Sequence, residues 1–468
     1  MPPGYIIPGF AIDGKGRGTY ISQEKLEKAL LSSMNFSSPE QALSFFQARQ
    51  LVEKQASRLK PAGTEKVSLD RSLARFVAAP IRADRDFPPF PRATRDGFAV
   101  QSADLATIPA RLKIVGEIKA GAEPESLPRR LLPGEAIGIM TGAPVPQETD
   151  AVLMLEHAKR CPDGSIEALR RVAAGENVVA RGVEAREDQL LFDVGTRLTP
   201  TGIALAASAG YSTITVFRRP RVAVLATGDE LVPVHAFPGP TQIRNSNLHS
   251  LAAQIESAGG EPVPLPIAPD DPRELRELIA MAFEHDLALF SGGVSKGKYD
   301  LVRDVLKEFK AEVYIGGARI QPGRPIVFGE AEAPAKGRRK RPAAAKPTEV
   351  RCVPFFGLPG NPVSTLVTFE LFVTPVLRAL AGGDPAPLLF ASARLKNELR
   401  TPTGLTRFLP AKLSGEPGHI EVEYLGWHGS GDLVSAARAN CYLVVPDDRE
   451  QISAGEEVSV LIFGSELR

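Results

Sequence analysis

The sequence contains few of the residues that hold metals or form disulfides. Its 468 residues include three cysteines and six histidines. Cys161, Cys352 and Cys441 lie far apart, with no CxxC pair and no Cys/His spacing. That arrangement excludes a disulfide framework and a zinc-finger type of site. We therefore expect the cysteines to be reduced residues of a cytoplasmic protein.

The sequence also lacks an excess of charge of one sign. Its 56 Lys and Arg nearly balance its 55 Asp and Glu, for a formal charge of +1, so no basic field indicates a nucleic-acid partner. The first residues lack the charged and apolar regions of a secretory signal. No apolar run approaches the roughly 20 residues of a membrane-spanning helix. We expect a cytoplasmic protein with neither nucleic-acid nor membrane partners.

The chain is too long for one ordinary hydrophobic core, and 43% of its residues are hydrophobic, so roughly two to four domains are expected. Residues 1–36 show no clear periodicity and predict a flexible extension. Ser38 and Pro39 resemble an N-cap and first helical residue. Short apolar runs separated by turns between Arg111 and Glu156 predict a small all-β unit, and similar runs after Ala391 predict a second β domain.

Between these β regions, apolar strands alternate with amphipathic helices. The run Arg221 to Thr227 is of the parallel-strand type, and Asp271-Pro272 resembles a helix start. This alternation predicts a doubly wound α/β sheet, whose ligands bind outside the carboxyl ends of the strands. The turns Gly228 to Glu230 and Ser291 to Gly293 both fall at that edge.

The segment Asp286 to Asp300, DLALFSGGVSKGKYD, reads as a strand, a glycine-rich loop and the start of a helix. That order lets backbone N–H groups and a helix N-terminus bind an anion. A tight turn without a ligand is the alternative interpretation. Gly357 to Pro362 predicts another such helix start, with Asn361 as N-cap and Ser364 in the first turn.

Two further segments have open interpretations. Asp96-Gly97 precedes a strand, and its aspartate is either a turn residue bonded to its own backbone or a functional carboxylate. Residues 331–350 are a basic, low-complexity Ala/Pro insertion between two strands. We expect a disordered loop there, with contact to a polyanion as the alternative.

Taken in order along the chain, these motifs resemble those of the molybdopterin molybdenumtransferase family, which includes MoeA and the E domain of gephyrin. Their joint order and spacing carry the resemblance, which covers the chain from about Ser37 onward. The matching segments are DGFA at 96–99, TGAPVP at 141–146, TGDEL at 227–231, NSN at 245–247, SGGVSKG at 291–297, PGRP at 322–325 and GLPGNPVS at 357–364.

The resemblance implies a domain plan. It comprises a linking and dimerisation domain (37–85 and 182–217), a small β domain (86–181), a MogA-like α/β domain (218–384) and a C-terminal β domain (385–468). It also implies insertion of molybdate into adenylylated molybdopterin with release of AMP, a divalent cation such as Mg²⁺, and a homodimer. Transient contacts with the adenylyltransferase and with molybdoenzymes would follow.

The same resemblance implies roles for individual residues. Catalysis is assigned to Asp96, Thr141, Glu230 and Asp300, of which Glu230 and Asp300 would hold the metal. Substrate binding is assigned to Gly292, Gly293, Ser295, Lys296, Gly297, Lys298, Arg324, Asn361 and Ser364. These are loop N–H groups, hydroxyls and cations suited to phosphate and molybdate.

Three positions depart from the family pattern: Arg95 beside the presumed catalytic Asp96, Glu184 in an altered acidic motif, and Gln321 where a lysine is common. Gln321→Lys is accordingly expected to tighten molybdate binding. The alternatives to the enzyme are a catalytically weakened paralogue, a scaffold on the same fold, and a molybdopterin adenylyltransferase.

Overall fold

The computed structural model describes residues 42–122, 131–293, 301–333, 351–385 and 388–463, together with the backbone of two short strands near the N-terminus. The chain divides into two compact units. One comprises Met1–Ala62 and Arg218–Arg468, and the other Gly63–Phe217.

The first unit begins with a small hairpin and a helix. Strands β1 (Phe10–Ile12) and β2 (Gly18–Tyr20) pair antiparallel, within a segment predicted to lack regular structure. Helix α1 spans Phe45–Ala56 and begins at a capping box in which Ser44 accepts a hydrogen bond from the N–H of Gln47. The prediction that this helix begins at Pro39 is wrong. Among the described residues from 42 onward, the helix begins only at Phe45, with Ser44 as its N-terminal cap.

The second unit is mainly β-structure. The strands are β3 (Thr64–Ser68), β4 (Ile81–Arg82), β5 (Arg92–Ala93), β6 (Gly97–Val100), β7 (Ala110–Ile118), β8 (Glu135–Ile139), β9 (Ala151–Met154), β10 (Ala158–Arg160), β11 (Ser165–Ala168), β12 (Val178–Val179), β13 (Leu190–Phe192) and β14 (Thr213–Phe217), and α2 is Pro200–Ser208. Strands β6 to β11 form one sheet in the order β10-β11-β7-β8-β6-β9, and the others pair in twos. Thr199 caps helix α2 by accepting a hydrogen bond from the N–H of Gly202.

The α/β region of the first unit contains a six-stranded sheet flanked by helices. The elements are β15 (Arg221–Ala226), β16 (Leu231–Val232), β17 (Ile243–Arg244), α3 (Ser246–Ser257), β18 (Glu261–Pro264), α4 (Pro272–Ala282), β19 (Leu287–Ser291), α5 (Leu301–Glu308), β20 (Glu312–Ile315), β21 (Ile320–Gln321), β22 (Val327–Glu332), β23 (Cys352–Leu358), α6 (Pro362–Thr368) and α7 (Thr374–Leu380). The strand order in the sheet is β18-β15-β19-β23-β22-β20. Strands β18, β15, β19 and β23 are parallel, and β22 runs antiparallel.

Helices cover both faces of this sheet. Alternate side chains of β15 point to opposite faces: Val222 and Val224 pack with α1, α3, α6 and α7, whereas Ala223 and Leu225 pack with α4 and α5. The chain leaves β15 for β18 on one side and returns to β19 on the other. The point between β15 and β19 is therefore a topological switch point, and the predicted doubly wound sheet is confirmed.

Helices α6 and α7 are joined by a π-helical turn, Phe369–Val373. Pro375 has no N–H to donate to the carbonyl of Leu371, and the buried Arg49 guanidinium donates to that carbonyl instead. The whole segment Pro362–Leu380 is long and apolar enough to cross a membrane, but 89% of its most apolar stretch is buried inside the protein. We expected no apolar run of membrane-spanning length, and that expectation is wrong, because this buried core helix is such a run.

The C-terminal region closes into a barrel. The elements are β24 (Phe390–Leu395), β25 (Leu399–Arg400), β26 (Thr406–Glu416), β27 (His419–Tyr424), α8 (Leu433–Arg438), β28 (Cys441–Val445), β29 (Gln451–Ile452) and β30 (Glu457–Ile462). Five strands pair in the order β26-β27-β24-β30-β28, and β28 also pairs with β26. Strand β21 extends the sheet beside β26. Closure leaves none of these five strands as an unpaired sheet edge.

The predicted start of the insertion at residue 331 is wrong. Ala331 and Glu332 belong to β22 and pair with Val353 and Cys352 of β23, and Ala331 is 1% exposed. The N–H of Ala333 donates to the carbonyl of Arg351. The two strands thus form a complete hairpin ladder up to Ala333, and residues 334–350 lie outside the described residues.

We predict that replacing residues 334–350 by Asn-Gly will preserve the fold. Ala333 and Arg351 already face each other across an antiparallel pair, which a two-residue turn can connect. Since loop length changes stability little, the melting temperature should stay within about 4 °C of that of the wild type. Scanning calorimetry measures it, with the buried-charge variant Ala331→Asp as a destabilised control. A larger loss in the Asn-Gly variant would show that the deleted segment stabilises the sheet.

Candidate functional site

A cleft of about 810 Å³ opens at the carboxyl ends of β15, β19 and β23, beside the switch point. Its walls include the loops that follow these strands, the short strands β16 and β17, the start of α3, the loop after β18, the segment before β22 and the start of α8. Its lining residues are Thr227, Gly228, Glu230, Leu231, Ile243, Arg244, Asn245, Ser246, Asn247, Asp270, Ser291, Gly292, Gly293, Pro325, Pro359, Gly360, Asn361, Pro362, Gly431 and Leu433. The volume is in the range of small-molecule sites.

The predicted glycine pair lines this cleft because no larger residues fit there. Gly292 and Gly293 have φ angles of +91° and +64°, a region that side chains disfavour. A Cβ at Gly292 would lie 2.8 Å from the carbonyl oxygen of Thr227, and one at Gly293 would lie 2.8 Å from the Thr227 hydroxyl. The glycines therefore allow the loop after β19 to pass directly against the loop after β15.

Asn247 connects two of the loops. Its side-chain amide Nδ2 donates to the Ser291 hydroxyl at 2.9 Å and to the Gly360 carbonyl at 2.7 Å. Asn247 is 9% exposed, and its Oδ1 accepts no hydrogen bond within the described part of the chain. The side chain thus joins the ends of β19 and β23 at the floor of the cleft.

Carboxylates gather on the β15 side of the cleft. Glu230 and Asp270 both line it, and the N–H of Asp270 donates to Asp229 at 3.1 Å. Partial burial, followed by repulsion from Asp229 and Glu230, raises the pKa of Asp270 above its usual value. Gly228 has a φ angle of +140°, a conformation that favours glycine over residues with a side chain.

These carboxylates fit a hard divalent cation in part. Mutual repulsion among them is the environment that a cation relieves, and carboxylate oxygens are the ligands that Mg²⁺ prefers. Among the described residues, however, no group of three potential ligands is close enough to enclose a metal. Glu230 and Asp270 would therefore supply one side of such a site. Asp300, the predicted partner of Glu230, lies outside the described residues.

The third wall comes from the barrel region. Asn361 is at the N-cap position of α6 but makes no capping bond; its Nδ2 donates to the Ser430 hydroxyl at 2.7 Å instead. The N–H of Val363 donates to the Ser430 carbonyl at 3.0 Å. Asp432 fixes this turn by accepting hydrogen bonds from Ser435 and His428. These bonds, chiefly those from Ser435, hold the pKa of Asp432 well below its usual value.

The remaining predicted substrate-binding residues do not line the cleft or are not described. Ser364 is 4% exposed inside the first turn of α6 and does not line the cleft, and its contact with an anion remains a prediction. Arg324 is an exposed residue next to Pro325, which does line it. Ser295, Lys296, Gly297 and Lys298 lie outside the described residues.

Gln321 also does not line the cleft. Its Oε1 accepts a hydrogen bond of 2.7 Å from Nε of Arg407. Arg407 is 4% exposed, and burial lowers the pKa of its guanidinium. A lysine at position 321 would face this buried cation instead of a bound anion, so the expected gain in molybdate binding from Gln321→Lys is withdrawn.

Asp96 and Thr141, predicted as catalytic partners, lie together in the second unit. Asp96 accepts hydrogen bonds of 2.7 Å from both the N–H and the hydroxyl of Thr141, which hold its pKa below the usual value. Gly97 fixes the aspartate at the start of β6, since a Cβ there would lie 2.0 Å from the Leu153 carbonyl oxygen. Asp96 is therefore an exposed carboxylate in a preorganised pair. The neighbouring departure, Glu184, forms an ion pair of 2.8 Å with Arg92.

Sequence reasoning missed three contributors to the cleft. Asn247 belongs to the NSN motif, for which the sequence indicates no role, and nothing in the sequence singles out Asp270. The turn at Ser430 comes from a domain expected to be separate. For Asp270, the available signal is an acidic residue in the loop after β18, the strand that neighbours β15.

The fold defines a multidomain protein. It has a doubly wound α/β domain with a cleft at its switch point, a closed barrel and a separate β-rich unit. The chain matches the MoeA N-terminal region (domain I and II) at 43–210, the probable molybdopterin binding domain at 223–379 and the MoeA C-terminal region (domain IV) at 392–463.

Relatives and solved structures agree with these matches. The chain is 33% identical over 408 residues to the molybdopterin molybdenumtransferase of Nostoc sp., covering 85% of this chain and 88% of the relative. It is 32% identical to that of Bacillus subtilis, covering 87% and 91%. The molybdopterin biosynthesis MoeA protein from Pyrococcus horikoshii superposes with a TM-score of 0.67 at 34% identity, covering 91% and 100%. The chain belongs to the molybdopterin molybdenumtransferase family, and the resemblance inferred from its motifs is confirmed.

We predict that Thr141→Val will raise the pKa of Asp96 towards the ordinary value. The ionised carboxylate loses a hydroxyl donor, and fewer hydrogen bonds to the charged form mean easier protonation. Thr141→Ser keeps the donor and should leave the pKa low. Carboxyl ¹³C NMR titration of the full-length protein measures both. Equal pKa values in the Val and Ser variants would contradict the role given to the hydroxyl.

We also predict opposite effects for two substitutions at Gln321. Gln321→Lys removes the acceptor of the buried Arg407 and adds a like charge, which should cost about 1–3 kcal/mol of unfolding free energy. Gln321→Glu keeps an acceptor and adds an opposite charge, so its loss should be smaller. Urea unfolding compares the two with the wild type. A lysine variant as stable as the glutamate variant would show that position 321 is free of Arg407 in solution.

Proposed function

We propose that this protein is a molybdopterin molybdenumtransferase that inserts molybdate into adenylylated molybdopterin and releases AMP. The observation that carries the proposal is the cleft at the switch point, which combines Gly292, Gly293 and the N-terminus of α6 with the carboxylates Glu230 and Asp270. Apart from Gly431 and Leu433, its lining residues lie within the segment that matches the molybdopterin binding domain.

The two sides of the cleft suit the two parts of this reaction. Backbone N–H groups of glycine loops and of a helix N-terminus bind phosphate and oxyanions. Cleaving the phosphoanhydride requires an oriented water molecule and stabilisation of the developing negative charge. We assign the glycine side to anion binding and the carboxylate side to the divalent cation that neutralises charge at the anhydride. In this assignment Glu230 and Asp270 hold Mg²⁺ together with Asp300.

Asp96 and Thr141 belong to the same proposal as catalytic residues. Their hydrogen bonds hold the pKa of Asp96 below its usual value and fix its orientation, which suits a carboxylate that orients a water molecule. The family resemblance supports a homodimer in the cytoplasm, with transient contacts to the adenylyltransferase and to molybdoenzymes. The intact pair and the acidic wall favour an enzyme over a scaffold, and three matched domains favour it over an adenylyltransferase alone.

The direct test is conversion of adenylylated molybdopterin and molybdate to cofactor and AMP by the purified protein. AMP release that depends on both molybdate and Mg²⁺ is expected. Binding of the substrate without turnover, under conditions that support turnover by a family member, would favour the weakened paralogue or the scaffold.

We predict that Glu230→Gln and Asp270→Asn will each slow AMP release by about 10² or more, because each removes preorganised charge without changing shape. The required Mg²⁺ concentration should rise in both variants. Asp229→Asn is the matched control: it removes a neighbouring charge from outside the cleft and keeps an oxygen for the N–H of Asp270. If all three variants lose activity equally, the effect is one of total charge and neither Glu230 nor Asp270 is a specific ligand.

A further inference from the structure

Asn247 is held in one orientation by its neighbours. Its Nδ2 donates to the Gly360 carbonyl at 2.7 Å and to the Ser291 hydroxyl at 2.9 Å. Rotating the amide by 180° would place Oδ1 against the Gly360 carbonyl, where two acceptors would repel each other. The position of Oδ1 is therefore determined by the loop geometry.

The Oδ1 atom fixed in this way is a buried acceptor that receives no hydrogen bond from the described residues. Asn247 is 9% exposed and lines the cleft. A buried acceptor without a donor is unfavourable, and such atoms in folded proteins call for a specific explanation. A donor carried by the ligand of the cleft supplies one.

We propose that Asn247 Oδ1 accepts a hydrogen bond from an amino group on a heterocyclic ring of the substrate. This inference rests on the proposed function and adds to it a residue that selects the ring. A carbonyl oxygen can only accept hydrogen bonds, so it repels phosphate and molybdate and attracts a neutral N–H group. The N–H groups of the glycine loops have the opposite preference.

Adenylylated molybdopterin contains two such amines, the 2-amino group of its pterin and the 6-amino group of its adenine. Two pairs of small probes separate them. Pterin is compared with lumazine, which has a carbonyl in place of the 2-amino group. AMP is compared with purine riboside monophosphate, which lacks the 6-amino group. Ligand-observed NMR titration of the full-length protein gives the affinity of each probe without any turnover.

The proposal predicts an affinity ratio of about tenfold in favour of the amine in one of the two pairs, the usual effect of one buried hydrogen bond. The pair that shows the ratio identifies the ring. In Asn247→Leu, which has a similar volume and no acceptor, the ratio should fall to about one. Ser291→Ala removes one of the bonds made by Nδ2 but leaves Oδ1, so it should weaken both probes of a pair equally and preserve the ratio.

These variants separate recognition from support of the loops. If Asn247 only joined the loops, Asn247→Leu would lower both affinities of a pair and leave their ratio unchanged, which would overturn the inference. Ratios near one in the wild type for both pairs would overturn it as well, while leaving the proposed function standing. Failure of both pterin and AMP to bind would contradict the proposed function, and the inference with it.

Discussion

Parallel pairing of β15, β19 and β23 is the constraint on which the site depends. Because the three strands run in one direction, their carboxyl ends meet at one edge, and the ladder continues past them: the N–H of Thr227 donates to the Ser291 carbonyl, and that of Gly292 to the Leu358 carbonyl. The loops that follow are therefore held at strand spacing, about 4.8 Å. Where the loop after β19 turns back against Thr227, both residues have positive φ angles and a Cβ at either would lie 2.8 Å from a Thr227 atom, which explains why glycines occupy positions 292 and 293.

That close approach also decides which polar groups face the cleft. With no side chains on the glycines, the loops expose backbone groups, and Asn247 can reach both Ser291 and Gly360 with one amide. Asn361, at the start of α6, is itself exposed and reaches Ser430 of the barrel region. A turn far along the chain thus becomes a wall of the cleft. The double contact of Asn247 depends on the loop spacing that strand pairing sets.

The sequence was sufficient to predict the sheet, its switch-point edge and the glycine loop, because apolar runs, glycines and helix caps are local signals. Asp271 and Thr199 cap helices as their positions indicated. The sequence did not predict that Gln321 would contact Arg407, 86 positions away, or that Ser364 would be buried, because both depend on how distant segments pack. The sequence also misplaced two element boundaries by a few residues: the start of α1, which is at Phe45, and the end of β22, which is at Glu332. The proposed domain boundaries and the roles of the site residues remain predictions.

The two sides of the cleft differ in the charge that they favour. Its glycine side suits anions, whereas Glu230 and Asp270 repel them. Burial first, and then repulsion from Asp229 and Glu230, raises the pKa of Asp270. A phosphoanhydride bound between these sides would be drawn to one wall and pushed from the other. A divalent cation reverses the second effect, because it converts the acidic wall into an attractive one. We therefore expect the cation to contribute to substrate affinity as well as to rate, since without it the acidic wall opposes binding of the substrate.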